Sequence, residues 1–190
     1  MSAVDEVVRA LEEGEPVVIP TDTVYGLACR PDDEGAVRTL SVLKRRSSEQ
    51  PIALVASSLD ALRAVVPEVP DVPAGAFTFV VPNPARRLPW LSGSSPDAIG
   101  VRIPNVGGPA ADVLVRVGVV AATSANLHGA PDPRLITDVP AEILDAVAAV
   151  LDVGELPGTP STVIDLTGPE PRILREGAAP AEEALRRVAE

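Results

Sequence analysis

Cysteine and histidine are almost absent from this 190-residue sequence. The one cysteine, Cys29, has no partner for an internal disulfide, and Cys29 and the one histidine, His128, are too few for a His/Cys zinc site. A Ser-His-Asp relay would have to use His128, for which the sequence provides no nucleophile elbow. Disulfide-rich proteins and proteins built on a His/Cys zinc site are therefore excluded.

Aromatic side chains and positive charge are also scarce. The chain is 2% aromatic, and 27 acidic against 16 basic residues give a net charge of −11. Nucleic acids are bound by stacking on aromatic rings and by clusters of Lys and Arg, so strong binding of single- or double-stranded nucleic acid is not expected. No apolar run approaches the ~20 residues that span a bilayer, and the N-terminus is unlike a signal peptide. We expect a cytoplasmic protein without membrane attachment.

The residues that are present predict an α/β fold. Hydrophobic residues make up 46% of the chain, and 21 prolines and 14 glycines divide it into short segments. Strands are predicted at 16–20, 52–56, 77–82, 98–104, 117–125, 149–153, 161–166 and 172–176. Helices are predicted after Ser2, between Asp32 or Asp33 and Lys44, and at 59–66, 108–116, 138–148 and 181–189. This interleaving predicts one domain over residues 1–190, with a sheet that is partly parallel or mixed.

Hydroxyl-rich stretches follow three of the apolar runs: PTDTVYG (20–26), ATSANLHG (122–129) and TPSTVID (159–165). Strand ends of open α/β sheets commonly bind ligands, and hydroxyls with free backbone N–H groups suit carboxylates and phosphates. Each stretch taken singly is also explained by the ordinary needs of a turn. The Walker motif and G-x-G-x-x-G are both missing, so a nucleotide would have to bind in another way.

Four cations are candidates for the same site. Lys44, the only lysine, and Arg46 lie in KRRSSEQP (44–51), and Arg175 lies in ILREG. Arg102 has apolar neighbours on both sides in AIGVRIP, and a buried arginine there requires an anionic partner. The alternative is a solvated helix end for the cluster and outward-facing strand positions for the other two.

The motifs taken together resemble a known family. IPTDTVYGLAC, LKRRSSEQPIALVAS, VRIP, ATSANLHGAP and STVIDLTGPEPRILREG follow one another as in the YrdC-type domain, from about residue 5 to residue 178. The resemblance implies a twisted mixed sheet flanked by helices, with a deep positively charged cavity. It leaves residues 179–190 as a terminal helix, without the additional C-terminal domain of longer family members.

The resemblance also implies an activity. L-Threonine, bicarbonate and ATP would give L-threonylcarbamoyladenylate and pyrophosphate, the first step of N6-threonylcarbamoyladenosine formation in ANN-decoding tRNAs. A separate tRNA threonylcarbamoyltransferase complex would use the product. Mg²⁺ would accompany ATP, although no protein ligand for a metal is identified.

The resemblance assigns roles to eight residues. The positions that match threonine-binding residues are Thr23, Arg102 and Ser161. The positions that match or adjoin ATP-binding residues are Lys44, Arg46, Ser124, Asn126 and Arg175. Lys44 and Arg46 are the predicted catalytic residues, because positive charge near the phosphates stabilises the transition state of transfer. The Arg102 guanidinium is expected to bind the threonine carboxylate bidentately.

The sequence departs from the family pattern at three places. Gln50 stands where a basic residue is common, PAGAFT (73–78) replaces P-G-P-x-T, and Ala98 replaces a threonine four residues before Arg102. Two alternatives therefore stay open. One is a related carbamoyl-adenylate-forming enzyme with another acyl acceptor, and the other is a non-catalytic RNA-binding or regulatory protein of the same fold.

Overall fold

Nine strands and six helices make up the fold of the computed structural model, which describes residues 2–188. The helices are α1 (Ala3–Glu12), α2 (Glu34–Leu43), α3 (Leu59–Val65), α4 (Gly108–Val117), α5 (Ala141–Leu144) and α6 (Ala181–Val188). The strands are β1 (Val17–Pro20), β2 (Tyr25–Cys29), β3 (Ala53–Ala56), β4 (Phe77–Pro82), β5 (Ala98–Arg102), β6 (Val119–Ser124), β7 (Ala149–Val150), β8 (Thr162–Asp165) and β9 (Arg172–Arg175). Short 3-10 turns occupy Pro89–Leu91 and Ile136–Asp138.

The strands form one mixed sheet in the order β7-β1-β2-β6-β3-β5-β4-β8-β9. The pairs β1/β7, β3/β5 and β4/β8 are parallel, and the other neighbouring pairs are antiparallel. The predicted fold class, a mixed sheet flanked by helices, is confirmed. The longest helices within residues 2–188 have ten residues, about half of what a bilayer span needs.

Local sequence signals explain where the first two helices begin. The Ser2 hydroxyl accepts from the backbone N–H of Asp5 at 3.2 Å, and the Asp5 carboxylate accepts from the backbone N–H of Ser2 at 3.0 Å, which is a capping box. Asp33, one of the two predicted caps, accepts from the N–H of Ala36 at 3.0 Å at the start of α2. Helix α2 ends at Lys44, so the basic cluster follows a helix C-terminus as predicted.

The structure differs from the prediction at one strand and one helix. Strand β2 is an additional strand that was not predicted, because it is buried along its whole length inside the sheet and lacks the alternation of a half-exposed strand. The helix predicted over 138–148 is only the four residues of α5. The following chain turns back to β1, where the N–H of Ala148 donates to the Pro16 carbonyl and that of Leu151 donates to the Val18 carbonyl. Pairing with β1 therefore ends the helix.

The two faces of the sheet are covered unequally. Helices α2, α3, α5 and α6 pack on one face of the sheet over the larger apolar core. Helices α1 and α4 pack on the other face against residues of β1, β2, β3 and β6. On that second face, the residues of β3, β4, β5 and β8 that alternate with core residues line a cavity. Several of these residues are small, including Ala53, Ala98 and Gly100, so the sheet itself leaves room for a ligand.

Candidate active site

Two adjoining cavities occupy the uncovered part of the sheet. The larger has a volume of about 880 Å³ and the smaller about 180 Å³. They share a wall, whose residues are Pro51, Ala53, Thr78, Thr123, Ser124, Val163 and Arg175. A ligand in the small cavity therefore lies next to a ligand in the large one.

The structure brings all eight predicted site residues to these cavities. The large cavity is lined by the five residues predicted on the ATP side: Lys44, Arg46, Ser124, Asn126 and Arg175. The small cavity is lined by the three predicted on the threonine side: Thr23, Arg102 and Ser161. Residues that lie far apart in the sequence are thus brought together, with Ser124 and Arg175 lining both cavities, and their roles stay predictions.

Arg102 is buried at the end of β5, with 7% of its surface exposed. Its Nη2 atom donates to the Asp22 carboxylate in an ion pair and to the Thr23 hydroxyl at 3.0 Å. Asp22 is the anionic partner that a buried arginine at this position requires. Burial lowers the pKa of Arg102, and the Asp22 charge opposes that shift. Because Nη2 is already engaged, this conformation does not leave the whole fork free for a second carboxylate.

The buried N–H of Arg102 at Nε has no hydrogen-bond partner among residues 2–188. A buried donor without an acceptor is costly, and such groups are uncommon in folded proteins. An unpaired donor on a cationic side chain that lines a small polar cavity is consistent with a site for an anionic group.

Lys44 connects α2 to the loop that follows β6. Its Nζ atom donates to the carbonyl of Ser124 at 2.5 Å, to the carbonyl of Asn126 at 2.7 Å and to the Asn126 side-chain oxygen at 2.9 Å. The Lys44 carbonyl in turn accepts from the N–H of His128 at 3.0 Å. Burial lowers the pKa of Lys44 to about 8, with a contribution from the nearby charge of Arg46. All three ammonium hydrogens therefore hold the 124–126 backbone and Asn126.

Arg46 and Arg175 are held more loosely than Lys44. Arg46 donates to the Thr123 hydroxyl and to the Pro51 carbonyl, both at 3.4 Å, and its buried Nε has no partner within the described chain. Burial lowers the pKa of Arg46. Arg175 donates to the Ser161 carbonyl at 2.7 and 3.1 Å from the exposed strand β9. Both guanidinium groups keep capacity for an anionic ligand.

The large cavity is locally positive on an acidic protein. Four cations line it: Lys44, Arg46, Arg172 and Arg175. Two carboxylates line it, and each is paired with an arginine: Asp97 with Arg86 at 2.8 Å, and Asp165 with Arg172 at 2.5 Å. The charge that remains unpaired in the cavity is therefore positive, which suits a phosphate chain.

Sequence reasoning missed three residues of the site. The Thr78 hydroxyl lies 2.8 Å from that of Ser161 and lines both cavities. The alternation of β4 was the available signal, since Phe77 and Phe79 point into the core and leave Thr78 on the other face. Asp132 lines the small cavity, and no local pattern distinguished it. Asp22, which pairs with Arg102, lies in the motif PTDTVYG, where only the hydroxyl side chain of Thr23 was assigned a role.

The three departures from the family pattern fall at different distances from the ligand space. Ala98 lines the large cavity, and of PAGAFT only Thr78, the residue that keeps the family's threonine, lines it. Gln50 does not line it, and its side-chain nitrogen lies 3.5 Å from the ring of His128, which does. The change at Ala98 therefore alters the cavity wall directly, whereas that at Gln50 acts at its edge.

Two glycines fix the walls by close approach of backbones. Gly93 has φ of +57°, and a side chain there would overlap the carbonyl of Glu49. Glycine at this position therefore allows the 92–97 loop to approach the backbone of the KRRSSEQP segment closely. A side chain at Gly177 would overlap the backbone of Pro160 and Ser161. The position of Ser161 in the small cavity therefore depends on glycine at 177.

Comparison with known proteins identifies the family. The family model of the Sua5/YciO/YrdC domain, whose description is "Telomere recombination", matches residues 9–177. This chain belongs to the Sua5/YciO/YrdC family. A putative threonylcarbamoyl-AMP synthase of Mycobacterium tuberculosis is 34% identical over 184 residues, covering 92% of this chain and 84% of that protein. The threonylcarbamoyl-AMP synthase of Vibrio parahaemolyticus is 30% identical over 191 residues, covering 93% of this chain and 100% of that protein.

A solved member of the Sua5/YciO/YrdC family has the same architecture. The structure of Pyrococcus abyssi Sua5 complexed with L-threonine is 30% identical and superposes with a TM-score of 0.88. The similarity covers 98% of this chain and 57% of that chain, so this sequence spans somewhat more than half of the longer protein. The predicted family and the predicted fold class are both confirmed.

Proposed function

We propose that this protein makes L-threonylcarbamoyladenylate from L-threonine, bicarbonate and ATP, with release of pyrophosphate. One observation carries the proposal: the residues predicted for threonine and those predicted for ATP line two cavities that share a wall. The relatives named threonylcarbamoyl-AMP synthase support this function. They favour it over an enzyme with another acyl acceptor and over a non-catalytic RNA-binding or regulatory protein.

Threonine occupies the small cavity in this proposal. A volume of about 180 Å³ fits a small amino acid and is too small for a nucleotide. The carboxylate of threonine pairs with Arg102 through the guanidinium atoms that Asp22 leaves available. The hydroxyls of Thr23, Thr78 and Ser161 supply short-range hydrogen bonds, and Asp132 faces the amino end.

ATP occupies the large cavity, and its α-phosphate lies at the shared wall. The volume of about 880 Å³ is within the range of nucleotide and drug-sized ligands. Arg46 and Arg175 contact the phosphates, because their guanidinium groups are not fully engaged. Ser124 and Asn126 contact ATP from the loop that Lys44 orients, so Lys44 acts mainly by positioning that loop.

The chemistry requires positioning and charge more than acid–base catalysis. Threonine carboxylated on nitrogen carries an anionic carbamate oxygen, which attacks the α-phosphorus as the bond from that phosphorus to the pyrophosphate oxygen breaks. The attacking oxygen has no proton to remove, so no general base is needed in that step. In this proposal the two substrates meet across the shared wall for in-line attack, and Arg46 and Arg175 stabilise negative charge on the phosphates.

Mg²⁺ enters this proposal as part of the ATP substrate. Residues 2–188 contain no group of three or more His, Cys, Asp or Glu side chains that could hold a metal ion. The two carboxylates of the large cavity, Asp97 and Asp165, are each paired with an arginine. These residues do not fit a protein-built metal site, whereas Mg²⁺ commonly binds through substrate phosphates and water.

Several wider predictions accompany the proposal. The product would pass to a separate tRNA threonylcarbamoyltransferase complex, because the acidic chain offers little for gripping tRNA itself. A cytoplasmic location and a single domain over 1–190 stay predictions. Of the predicted terminal helix 179–190, the structure describes α6 (Ala181–Val188), and residues 189–190 lie outside the described part.

The proposal is tested by pyrophosphate release from the purified protein with ATP, Mg²⁺ and bicarbonate. L-Threonine, L-serine and no amino acid are compared, and labelled bicarbonate is followed into the adenylate. Threonine-dependent release with label in the adenylate is the expected result. Release without preference for threonine, or no release, contradicts the assignment.

A further inference from the structure

Asp22 lies behind the small cavity and not in its wall. Its neighbours Thr21 and Thr23 line the cavity, but Asp22 does not. One carboxylate oxygen pairs with Nη2 of Arg102, and the other accepts from the backbone N–H of Asn105 at 2.8 Å. The side chains of Asp22 and Arg102 are 12% and 8% exposed. Asp22 is thus fixed from two sides and reaches the ligand space only through Arg102.

The charges around the small cavity balance when Asp22 is included. Arg102 and Arg175 line the cavity, and so does the carboxylate of Asp132. Without Asp22 the site would carry a net positive charge, and with Asp22 two cations face two carboxylates. A balanced site of this kind suits threonine as it first binds, before its nitrogen is carboxylated, when it is a zwitterion with one negative and one positive group.

We propose that Asp22 is a positioning residue that determines the charge specificity of the small cavity. By pairing with Arg102 from behind, it makes the cavity accept a zwitterionic amino acid and exclude small inorganic dianions. This inference rests on the proposed function, in which threonine occupies the small cavity. Exclusion matters because the adjoining cavity accumulates phosphate groups, and a positively charged threonine site would bind free anions as well.

Coulomb's law gives the expected direction. Removing the Asp22 charge removes a repulsion that acts on any anion beside Arg102. A dianion feels that repulsion about twice as strongly as a single carboxylate does, while for a zwitterion the attraction to the ammonium group largely cancels it. The affinity ratio of dianion to threonine must therefore rise, whatever small shift the guanidinium makes. A merely structural defect would instead weaken the binding of both the dianion and threonine.

The test is Asp22→Asn, which removes the charge and keeps an oxygen that can accept from Arg102. Threonine binding is measured by calorimetry with sodium sulfate as the competing dianion, against sodium chloride at matched ionic strength. We expect the sulfate inhibition constant against threonine to fall by about tenfold or more relative to the wild-type protein. The dissociation constant of ATP should change by less than about twofold, since Asp22 does not line the large cavity.

Two further variants complete the design. Asp22→Glu keeps the charge and should exclude sulfate as the wild-type protein does. If Asp22→Asn does not fold, Asp22→Ser, which also removes the charge, takes its place: sulfate competition in the Ser variant but not in the Glu variant would support the inference, and none in either would refute it. Asp71→Asn is the matched control, because Asp71 forms an exposed ion pair with Arg63 at 2.9 Å. Asp71→Asn should change the dissociation constant of neither threonine nor ATP.

The two levels of the argument fail differently. If wild-type protein binds no threonine, the proposed function fails and the inference falls with it, without reference to any variant. If wild-type protein binds threonine and Asp22→Asn remains as insensitive to sulfate as wild type, the inference alone is wrong. Parallel losses of threonine and ATP affinity without sulfate competition also overturn it.

Discussion

Replacing Lys44 by methionine separates its role in orienting the site from any role in stability. Methionine is similar in length and apolar, so it fills the space while removing the ammonium group. The change leaves the carbonyls of Ser124 and Asn126 without the donor they have in the wild-type protein. The Asn126 side-chain oxygen keeps a second donor, the Ser124 hydroxyl at 2.6 Å.

Two opposing contributions set the expected stability change. Two buried carbonyls without donors cost about 2–6 kcal/mol at about 1–3 kcal/mol each. Burial that lowers the pKa of Lys44 from 10.5 to about 8 penalises the ammonium by about 3 kcal/mol, and methionine removes this penalty. The contributions partly cancel, so we expect the free energy of unfolding to change by no more than about 3 kcal/mol. ATP use should fall about tenfold or more, because the 124–126 loop loses its orientation.

Urea denaturation measures the stability, and pyrophosphate release against ATP concentration measures the function. The control is Arg45→Met, since Arg45 is exposed and pairs with Glu142 at the surface. It should alter stability by less than about 1 kcal/mol and leave ATP use unchanged. The reasoning is refuted if Lys44→Met keeps normal ATP use. It is also refuted if the variant lowers the free energy of unfolding by far more than two carbonyls without donors would cost.

Three further predictions concern the same site. Between pH 8 and 10.5, kcat/KM for ATP should fall with an apparent pKa near 8, since a neutral amine at Lys44 donates two hydrogen bonds and not three. The contribution of Lys44 to stability should rise in that window, because the unfolded chain binds more protons there, and Lys44→Arg should flatten the pH–activity profile. Arg46→Ala and Arg175→Ala should weaken ATP use by about tenfold or more, and equal negligible effects for these and for Arg63→Ala, which lies outside both cavities, would contradict the assignment. Gly177→Ala should lower the melting temperature and raise KM for threonine more than for ATP, as calorimetry and steady-state kinetics would reveal.

The motif-bearing residues were the most predictable part of the site. Arg102, in an apolar strand, required an anionic partner, and the structure provides Asp22. Lys44 was placed at a helix C-terminus, which it occupies as the residue that ends α2. These inferences succeeded because burial and helix capping depend on residues close in sequence. The functional roles of the site residues stay predictions.

Contacts made across the sheet were not predictable. Strand β2 lies inside the sheet, and its short run YGLAC directly follows a hydroxyl-rich turn. No local signal therefore marks it as a separate strand. The shortening of α5 results from pairing of the following chain with β1, which is more than a hundred residues earlier. The role of Lys44 in holding a loop eighty residues away likewise depends on the fold. Each of these outcomes is set by a partner distant in sequence.

By itself, the sequence determined the class of fold, the helix caps, the family and eight of the side chains that line the two cavities. It did so because capping, apolar periodicity and ordered motifs are written in neighbouring residues. Only the tertiary structure decided that two cavities share a wall, that the Lys44 ammonium donates its hydrogen bonds to the 124–126 loop, and that Asp22 neutralises Arg102. Those facts are distances between residues far apart in the chain, and the packing of the sheet sets them.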